Sequence, residues 1–226
     1  ARVVGLRFKA ALPKMLIKSV PLGLDTTVFH ARPRKSTGRP RLLIVGRLDP
    51  IKGHERFLEL FCKTLKGWDA PQPTPYLEII GQSSNISATQ LRLAAKSWGL
   101  TEGVDWGLID ARVPNLPERM ANATLGVVPS LGSEVICRVT EEFLLSGTPV
   151  LVSQAGALQE CLVEDSFGAL LQGLDGDVTL LKNWAIRAFD EGQDARYVRA
   201  ATAARHFSLE AMGQALEDYL LAIVRR

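Results

Sequence analysis

The sequence predicts an α/β fold: a doubly wound parallel sheet with helices on both faces. Two observations carry this. Short unbroken apolar runs, such as RLLIV at 41–45 and VLV at 150–152, have the length and continuity of strands covered on both sides. Between them lie stretches with helical spacing of apolar residues, which is the βαβ alternation of a parallel sheet. The 226 residues are 46% hydrophobic and 23% charged, enough for one large domain or a domain and a tail. A net charge of +3 is too small to argue for nucleic acid.

The chain is organised around residues 129–153, PSLGSEVICRVTEEFLLSGTPVLVS. An apolar run at 125–128 reaches a Pro-Ser turn, a short loop carries Glu134, a helix follows over about 137–146, and a second apolar run closes the unit. A ligand crevice is expected beyond the carboxyl ends of such strands, where a helix start offers free N–H groups to a phosphate. Glu142, eight residues after Glu134, shares a side with Val139, Phe143 and Ser146, while Glu141 points roughly opposite. The pattern alone also fits a plain helix in which Arg138 pairs with Glu142.

Taken from the start, residues 1–14 are a basic segment, 15–20 read as a short strand, and 21–25 as a turn. Residues 30–40 (HARPRKSTGRP) form a basic polar loop, a linker or a mobile cover. No aromatic residue interleaves in it to stack on bases, so nucleic acid is not the expected partner. A buried strand at 41–45 leads through GRLDPIKG (46–53) into a helix to about 65, with Phe57, Leu58, Phe61 and Leu65 on one side. Then come a proline-containing loop, a strand at 76–80, a helix at 86–99, a strand at 104–109 and a short helix at 116–121. After the central unit, a helical turn to 162 and a last strand at 168–171 precede helices to the end. Leu181, Trp184, Ala185 and Ala188 make one apolar stripe; Leu209, Met212, Leu216, Tyr219, Leu220 and Ile223 make another.

GRLDPIKG is the second informative stretch. Gly46 lets the backbone turn at a strand end, and Arg47 and Lys52 flank a proline bend before a helix. Two cations at the carboxyl edge of a parallel sheet suit a diphosphate, with arginine as a fork and lysine as a point charge. Exposed loop cations would give the same pattern. The spacing is not that of a Walker A loop, and no GxGxxG is present. His30, His54 and His206 are scattered, in contexts that suit surface or capping roles. Cys62, Cys137 and Cys161 have no metal-ligand spacing and suit a reduced, cytosolic protein. No Ser-His-Asp signature and no apolar run long enough to span a membrane occurs. Trp68, Trp106 and Trp184 are expected in the core or at its rim, Trp106 at a strand end near the crevice.

In order along the chain, VPLGLDTTVF, RLLIVGRLDPIKG, YLEIIGQ, the Glu134 and Glu142 pair followed by SGTPVLVS, and FSLEAMGQALEDYL resemble the donor-binding half of family 4 (group 1) glycosyltransferases. The resemblance implies a Rossmann-like domain, the C-terminal half of a GT-B fold. It divides the chain into a remnant of the acceptor domain (1–20), a hinge and basic loop (21–40), the nucleotide-sugar domain (41–205) and a C-terminal helix (206–226). It implies that Arg47 and Lys52 bind the donor diphosphate and stabilise leaving-group charge, that Glu134 meets the sugar hydroxyls, and that Glu142 meets the ribose. By the same carry-over, the backbone at Ile136, Cys137 and Arg138 faces phosphate, Leu108 and Ile109 border the base, and Gly46 and Gly81 permit close approach. The expected protein is a retaining hexosyltransferase of bacterial polysaccharide or lipopolysaccharide synthesis that uses neither metal nor cofactor. Its expected partners are a UDP-, GDP- or ADP-linked sugar and a glycan or lipid-linked acceptor held by the other half. It would work in the cytoplasm, with peripheral association at the inner face of the plasma membrane. Two departures stand out: Ile136-Cys137 replaces the usual Phe-Gly, and Leu22 replaces an asparagine. The alternatives are a GT-B relative of other chemistry, a phosphorylase or epimerase, and a non-catalytic nucleotide-sugar-binding module.

Overall fold

A computed structural model describes residues 19–35, 38–132 and 134–224. Six strands form one sheet in the order β3-β2-β1-β4-β5-β6, with every pairing parallel. They are β1 (Arg41–Val45), β2 (Tyr76–Ile80), β3 (Trp106–Ile109), β4 (Leu125–Val128), β5 (Val150–Val152) and β6 (Gly168–Leu170). The helices are α1 (His54–Lys66), α2 (Ala88–Ser97), α3 (Leu116–Asn122), α4 (Arg138–Leu145), α5 (Leu174–Asp190), α6 (Gln193–Phe207) and α7 (Leu209–Val224). Two 3-10 turns, Pro50–Lys52 and Leu158–Cys161, complete the elements among the described residues.

The period-two geometry of a strand explains why unbroken apolar runs were needed. In β1, Leu42 and Ile44 enter one core while Leu43 enters the other; in β5, Leu151 opposes Val150 and Val152. One core packs α1, α2 and α5 against the sheet through Phe57, Phe61, Leu91 and Leu181. The other packs α3, α4 and α6 through Met120, Phe143, Ala203 and Phe207. Each buried Phe, Leu or Met among these contributes about 1.5–3 kcal/mol, so both faces are anchored independently of any ligand. The chain winds outward from β1 through β2 to β3, returns to β4 beside β1, and winds outward again. The β1/β4 boundary is therefore the topological switch point, where the connections diverge and leave a crevice.

Element positions follow the sequence closely, with informative exceptions. Helix α2 starts at Ala88 because Ser87 and Gln90 form a reciprocal capping box. Strand β3 starts at Trp106, since 101–105 are turned back by the Asp105 carboxylate and backbone accepting from and donating to Thr101. Trp106 thus stands at the amino end of β3, fully buried and at the opposite edge of the sheet from the crevice, which corrects its expected place. The strand expected at 15–20 lies outside the described residues except for Ser19 and Val20, which have no regular structure.

The described part of the basic loop is held against the domain by its cations. Arg34 donates to the carbonyls of Ala188 at 2.8 Å and Phe189 at 2.6 Å at the end of α5, capping orphan acceptors there. Lys35 pairs with Glu118 at 2.9 Å, and the Arg39 guanidinium lies over the Tyr76 ring. The C-terminal stripe also differs from expectation: no residue of α7 is buried, and Leu209, Leu216, Leu220 and Ile223 are exposed. Helical spacing reveals that a face is apolar, not that this chain supplies its cover.

Candidate functional site

The site is assembled where the loops leaving β1 and β4 are stitched together. After β1, Asp49 caps the 3-10 turn by accepting from the Ile51 N–H at 3.0 Å, and Asn85 steadies the same carboxylate at 2.7 Å. These contacts hold the Asp49 carboxyl below its ordinary range, the Ile51 hydrogen bond contributing most. The turn closes on Gly53, whose φ of 71° is left-handed and whose missing Cβ would meet the Pro129 carbonyl oxygen at 2.0 Å. Only glycine lets the two loops touch here. Leu131 then donates to the Ile51 carbonyl at 2.7 Å. The arrangement aims Lys52 across the switch point at the loop that follows β4.

That loop presents Glu134, which is 7% exposed. One of its carboxylate oxygens, Oε1, accepts from Lys52 Nζ at 2.5 Å and from Ser130 Oγ at 2.5 Å. The Glu134 carbonyl accepts from Ala157 N at 2.8 Å, and Gly156, at φ 56°, lies flush against it. Helix α4 follows, with Cys137 at its N-cap and no side chain capping its first N–H groups. Its far end explains the SGTP run: Gly147 takes φ 75°, Thr148 N donates to the Phe143 carbonyl, and Thr148 Oγ1 donates to the Met120 carbonyl at 2.7 Å. Helix α4 is thereby fixed in rotation and height, which fixes what its amino end presents.

A cavity of about 220 Å³ occupies the switch point. Of the residues expected from sequence, Gly46, Lys52, Glu134, Ile136, Cys137 and Arg138 line it together. The rest are not in its wall. Arg47 is exposed beside it, with its carbonyl turned to His54. Gly81 serves the backbone: a Cβ there would sit 1.8 Å from the Gly46 carbonyl oxygen, so its close approach is to the β1 exit. Leu108 and Ile109 end β3, two strands away from β1. Glu142 lies a turn deeper in α4 and reaches the wall through Arg138, whose Nε donates to it at 2.8 Å. The plain helical pairing of Arg138 with Glu142 is therefore real, and it coexists with the cavity.

Three further groups were not legible in the sequence. His54, expected at the surface or as a cap, is 1% exposed, because α1 begins inside the fold behind the loop. Its Nε2 lies 2.9 Å from the Arg47 carbonyl, which can only accept, so Nε2 carries the proton and Nδ1 is left without a partner. Burial, ahead of the other influences, pushes its pKa below the ordinary histidine value. Thr140 Oγ1, also in the cavity wall, is buried and unpartnered. Glu141, on the opposite side of the helix from Glu142, is buried too, at 4% exposure. Burial first, and the Glu142 charge second, raise its carboxyl to about 7, and Glu141 Oε2 has no partner. A helix packed on one side against the sheet and on the other against α6 has no solvent face for either carboxylate.

Two other cavities adjoin the site. One of about 280 Å³, on the far side of Pro129–Leu131, contains none of the predicted residues. The other, of about 450 Å³, is bounded by Leu22, Ile136, Cys137, Glu141, Cys161 and Leu216 among others. Among the described residues no group of three or more His, Cys, Asp or Glu is placed to hold a metal ion, and no helix is long and apolar enough to cross a membrane.

Residues 39–183 match the family described as Glycosyl transferases group 1. A D-inositol 3-phosphate glycosyltransferase from Acidothermus cellulolyticus is 30% identical over 202 residues, which cover 83% of this chain and 43% of that protein. An MMP alpha-(1->4)-mannosyltransferase from Mycolicibacterium hassiacum is 29% identical over 147 residues, 65% of this chain and 33% of that protein. The chain thus spans less than half the length of these relatives. Among solved structures, Anabaena HepE in complex with UDP superposes with a TM-score of 0.71 at 20% identity, covering 88% of this chain and 56% of that one. The C-terminal domain of a glycosyl transferase group 1 family protein, LpcC of Francisella tularensis, superposes at 0.60 and 21% identity, covering 80% of this chain and 94% of that one.

Proposed function

The chain belongs to the group 1 glycosyl transferases, and from that premise we propose that it is the nucleotide-sugar-binding half of a retaining hexosyltransferase. The observation that carries the reading is the switch-point cavity, which gathers a lysine, a buried carboxylate and an uncapped helix start in about 220 Å³. A nucleoside diphosphate has the matching chemistry. Its phosphates accept from Lys52 and from the free N–H groups at the start of α4, and the helix dipole favours their charge. Arg47, exposed beside Gly46, adds a second cation at the mouth. As the bond from sugar to phosphate breaks, negative charge grows on the diphosphate, and these cations lower the barrier by meeting it where it develops.

Glu134 has a double duty in this scheme. Without a ligand it neutralises Lys52; with a donor in place, Lys52 turns to phosphate and the released carboxylate accepts from sugar hydroxyls. Glu142 accepts from the ribose once Arg138 swings aside, and the end of β3 at Leu108 and Ile109 borders the base. The acceptor, a glycan or lipid-linked sugar, is bound by a part of the protein outside this chain, so transfer by the isolated chain is expected to be weak. What supports the donor assignment is convergent: the family, the fold shared with a protein solved with UDP, and the cavity chemistry.

Calorimetric titration with UDP, GDP and ADP tests the reading. One of the three should bind, and Lys52→Ala should weaken it by about tenfold or more, since a hydrogen bond to a charged group contributes about 1.5–3 kcal/mol. Arg47→Ala should weaken it in the same direction. Equal binding by wild type and Lys52→Ala, or none by the wild type, would overturn the proposal.

A further inference from the structure

The donor cavity makes no use of the Cys137 thiol, and that thiol is not isolated. Cys137 lines the donor cavity on one side and the 450 Å³ cavity on the other. Cys161 ends the 3-10 turn at 158–161 and lines the second cavity too. Both are buried in the same core, and α4 packs against that turn. The two segments are already tied at their other ends, where Ala157 N donates to the Glu134 carbonyl and Gly156 abuts it. The nearby Cys137 thiol, followed by burial, raises the Cys161 pKa, and the carboxylates of Glu141 and Glu160 act in the same direction. Cys62 sits in the opposite core, with Sγ 2.9 Å from the Trp98 carbonyl.

We propose that Cys137 and Cys161 form an oxidisable pair that closes to a disulfide on meeting a low-molecular-weight disulfide, and that closure weakens nucleotide binding. The second half of this statement rests on the donor-site reading; the first does not. The 450 Å³ cavity is the route by which the oxidant, RSSR, reaches sulfur. Cys137 sulfur attacks RSSR, giving a mixed disulfide and one RSH. Cys161 sulfur then attacks Cys137 sulfur and displaces the second RSH. The two protein thiols lose two electrons, RSSR gains them, and the two protons leave on the two RSH molecules. An S–S bond of about 2.05 Å draws the α4 N-cap toward the turn. Ile136 and the first N–H groups of α4 move with it, so the phosphate-facing wall of the donor cavity is displaced.

The experiment treats the full chain with excess hydroxyethyl disulfide and follows thiols, mass and nucleotide affinity in the same samples. Titratable thiols under denaturing conditions should fall from the three cysteines present to the single Cys62. The mass should drop by about 2 Da, with a 137–161 cross-linked peptide and full reversal by a thiol reductant. Cys161→Ser, or Cys161→Ala if the serine variant folds poorly, should instead stop at the mixed disulfide on Cys137 and gain about 76 Da there, with no cross-linked peptide. Affinity for the nucleoside diphosphate should fall about tenfold on oxidation of the wild type, a loss comparable to one charge-assisted hydrogen bond, and return on reduction, while the untreated Cys161 variant binds as the reduced wild type does. Three thiols surviving, or a bridge to Cys62, overturns the pair. Disulfide formation with unchanged affinity overturns the coupling. A reduced protein that binds no nucleotide sinks the coupling together with the donor reading, while the thiol count still judges the pair.

Discussion

At the scale of single residues, the site is a set of charges that satisfy one another until something better arrives. Lys52 and Ser130 both donate to one oxygen of Glu134, so an anion proposed to bind Lys52 must compete with that carboxylate. Glu134→Gln removes that competing charge. The expected result in calorimetry is nucleoside diphosphate binding tightened by about threefold, in line with the roughly 1 kcal/mol scale of a partly exposed ion pair. Glu141 makes the opposite kind of statement. Its folded pKa of about 7 stands above its ordinary value of 4.5, so the stability that it contributes is complete below 4.5 and is lost as pH rises through 7. Glu142 is shifted in the same direction. His54 is shifted downward, so its contribution is present above 6.5 and lost as pH falls. The Glu141 contribution is lost mostly between pH 4.5 and 7, so over that range urea unfolding should show the wild type losing stability relative to Glu141→Gln, the full shift corresponding to on the order of 3 kcal/mol.

At the scale of elements, the strands and most helices were legible because burial on two faces leaves a strand no freedom to be anything but apolar. The runs at 41–45, 125–128 and 150–152 became β1, β4 and β5 at the same bounds. What local pattern cannot convey is which side of an element is covered. Glu141 and Glu142 follow helical geometry as expected, yet both are buried, because α6 and the sheet enclose α4 from different directions. His54 was misread for the same reason, and Trp106 because turn residues at 101–105 moved its strand's start. Part of the site was legible: the ordered motifs placed Gly46, Lys52, Glu134 and 136–138 in one wall, while the partners Ser130, Thr140 and His54 carry no motif of their own. The glycine at the end of β2 shows how a loop position is dictated by another loop. Gly81→Ala would drive a methyl to 1.8 Å from the Gly46 carbonyl oxygen. Because the contact is backbone, the β1 and β2 exits must separate, and a loss of about 3 kcal/mol or more in urea unfolding is expected. Nucleotide affinity should drop with it.

At the scale of the whole molecule, two cores back one sheet, and the candidate crevice falls where the winding reverses, so its walls are braced from both faces. Helix α7 stands outside this economy. It joins the body through the Leu24 backbone, which pairs on one side with Phe207 and on the other with Leu209, and through the Met212 sulfur accepting from Gly23 N at 3.2 Å. Leu181→Ala in α5 should cost about 2–5 kcal/mol, as for other deletions in a packed core. Leu220→Glu should change the unfolding free energy by less than about 0.5 kcal/mol, since Leu220 is 60% exposed. A flank with Leu216, Leu220, Leu221 and Ile223 all open to water also governs how the chain behaves outside any reaction. It should light up an environment-sensitive naphthalene dye, cling to phenyl resin, and meet an air–water interface with that flank foremost. On a frozen specimen grid the molecules would then lie in one preferred orientation, and Leu220→Glu should scatter it.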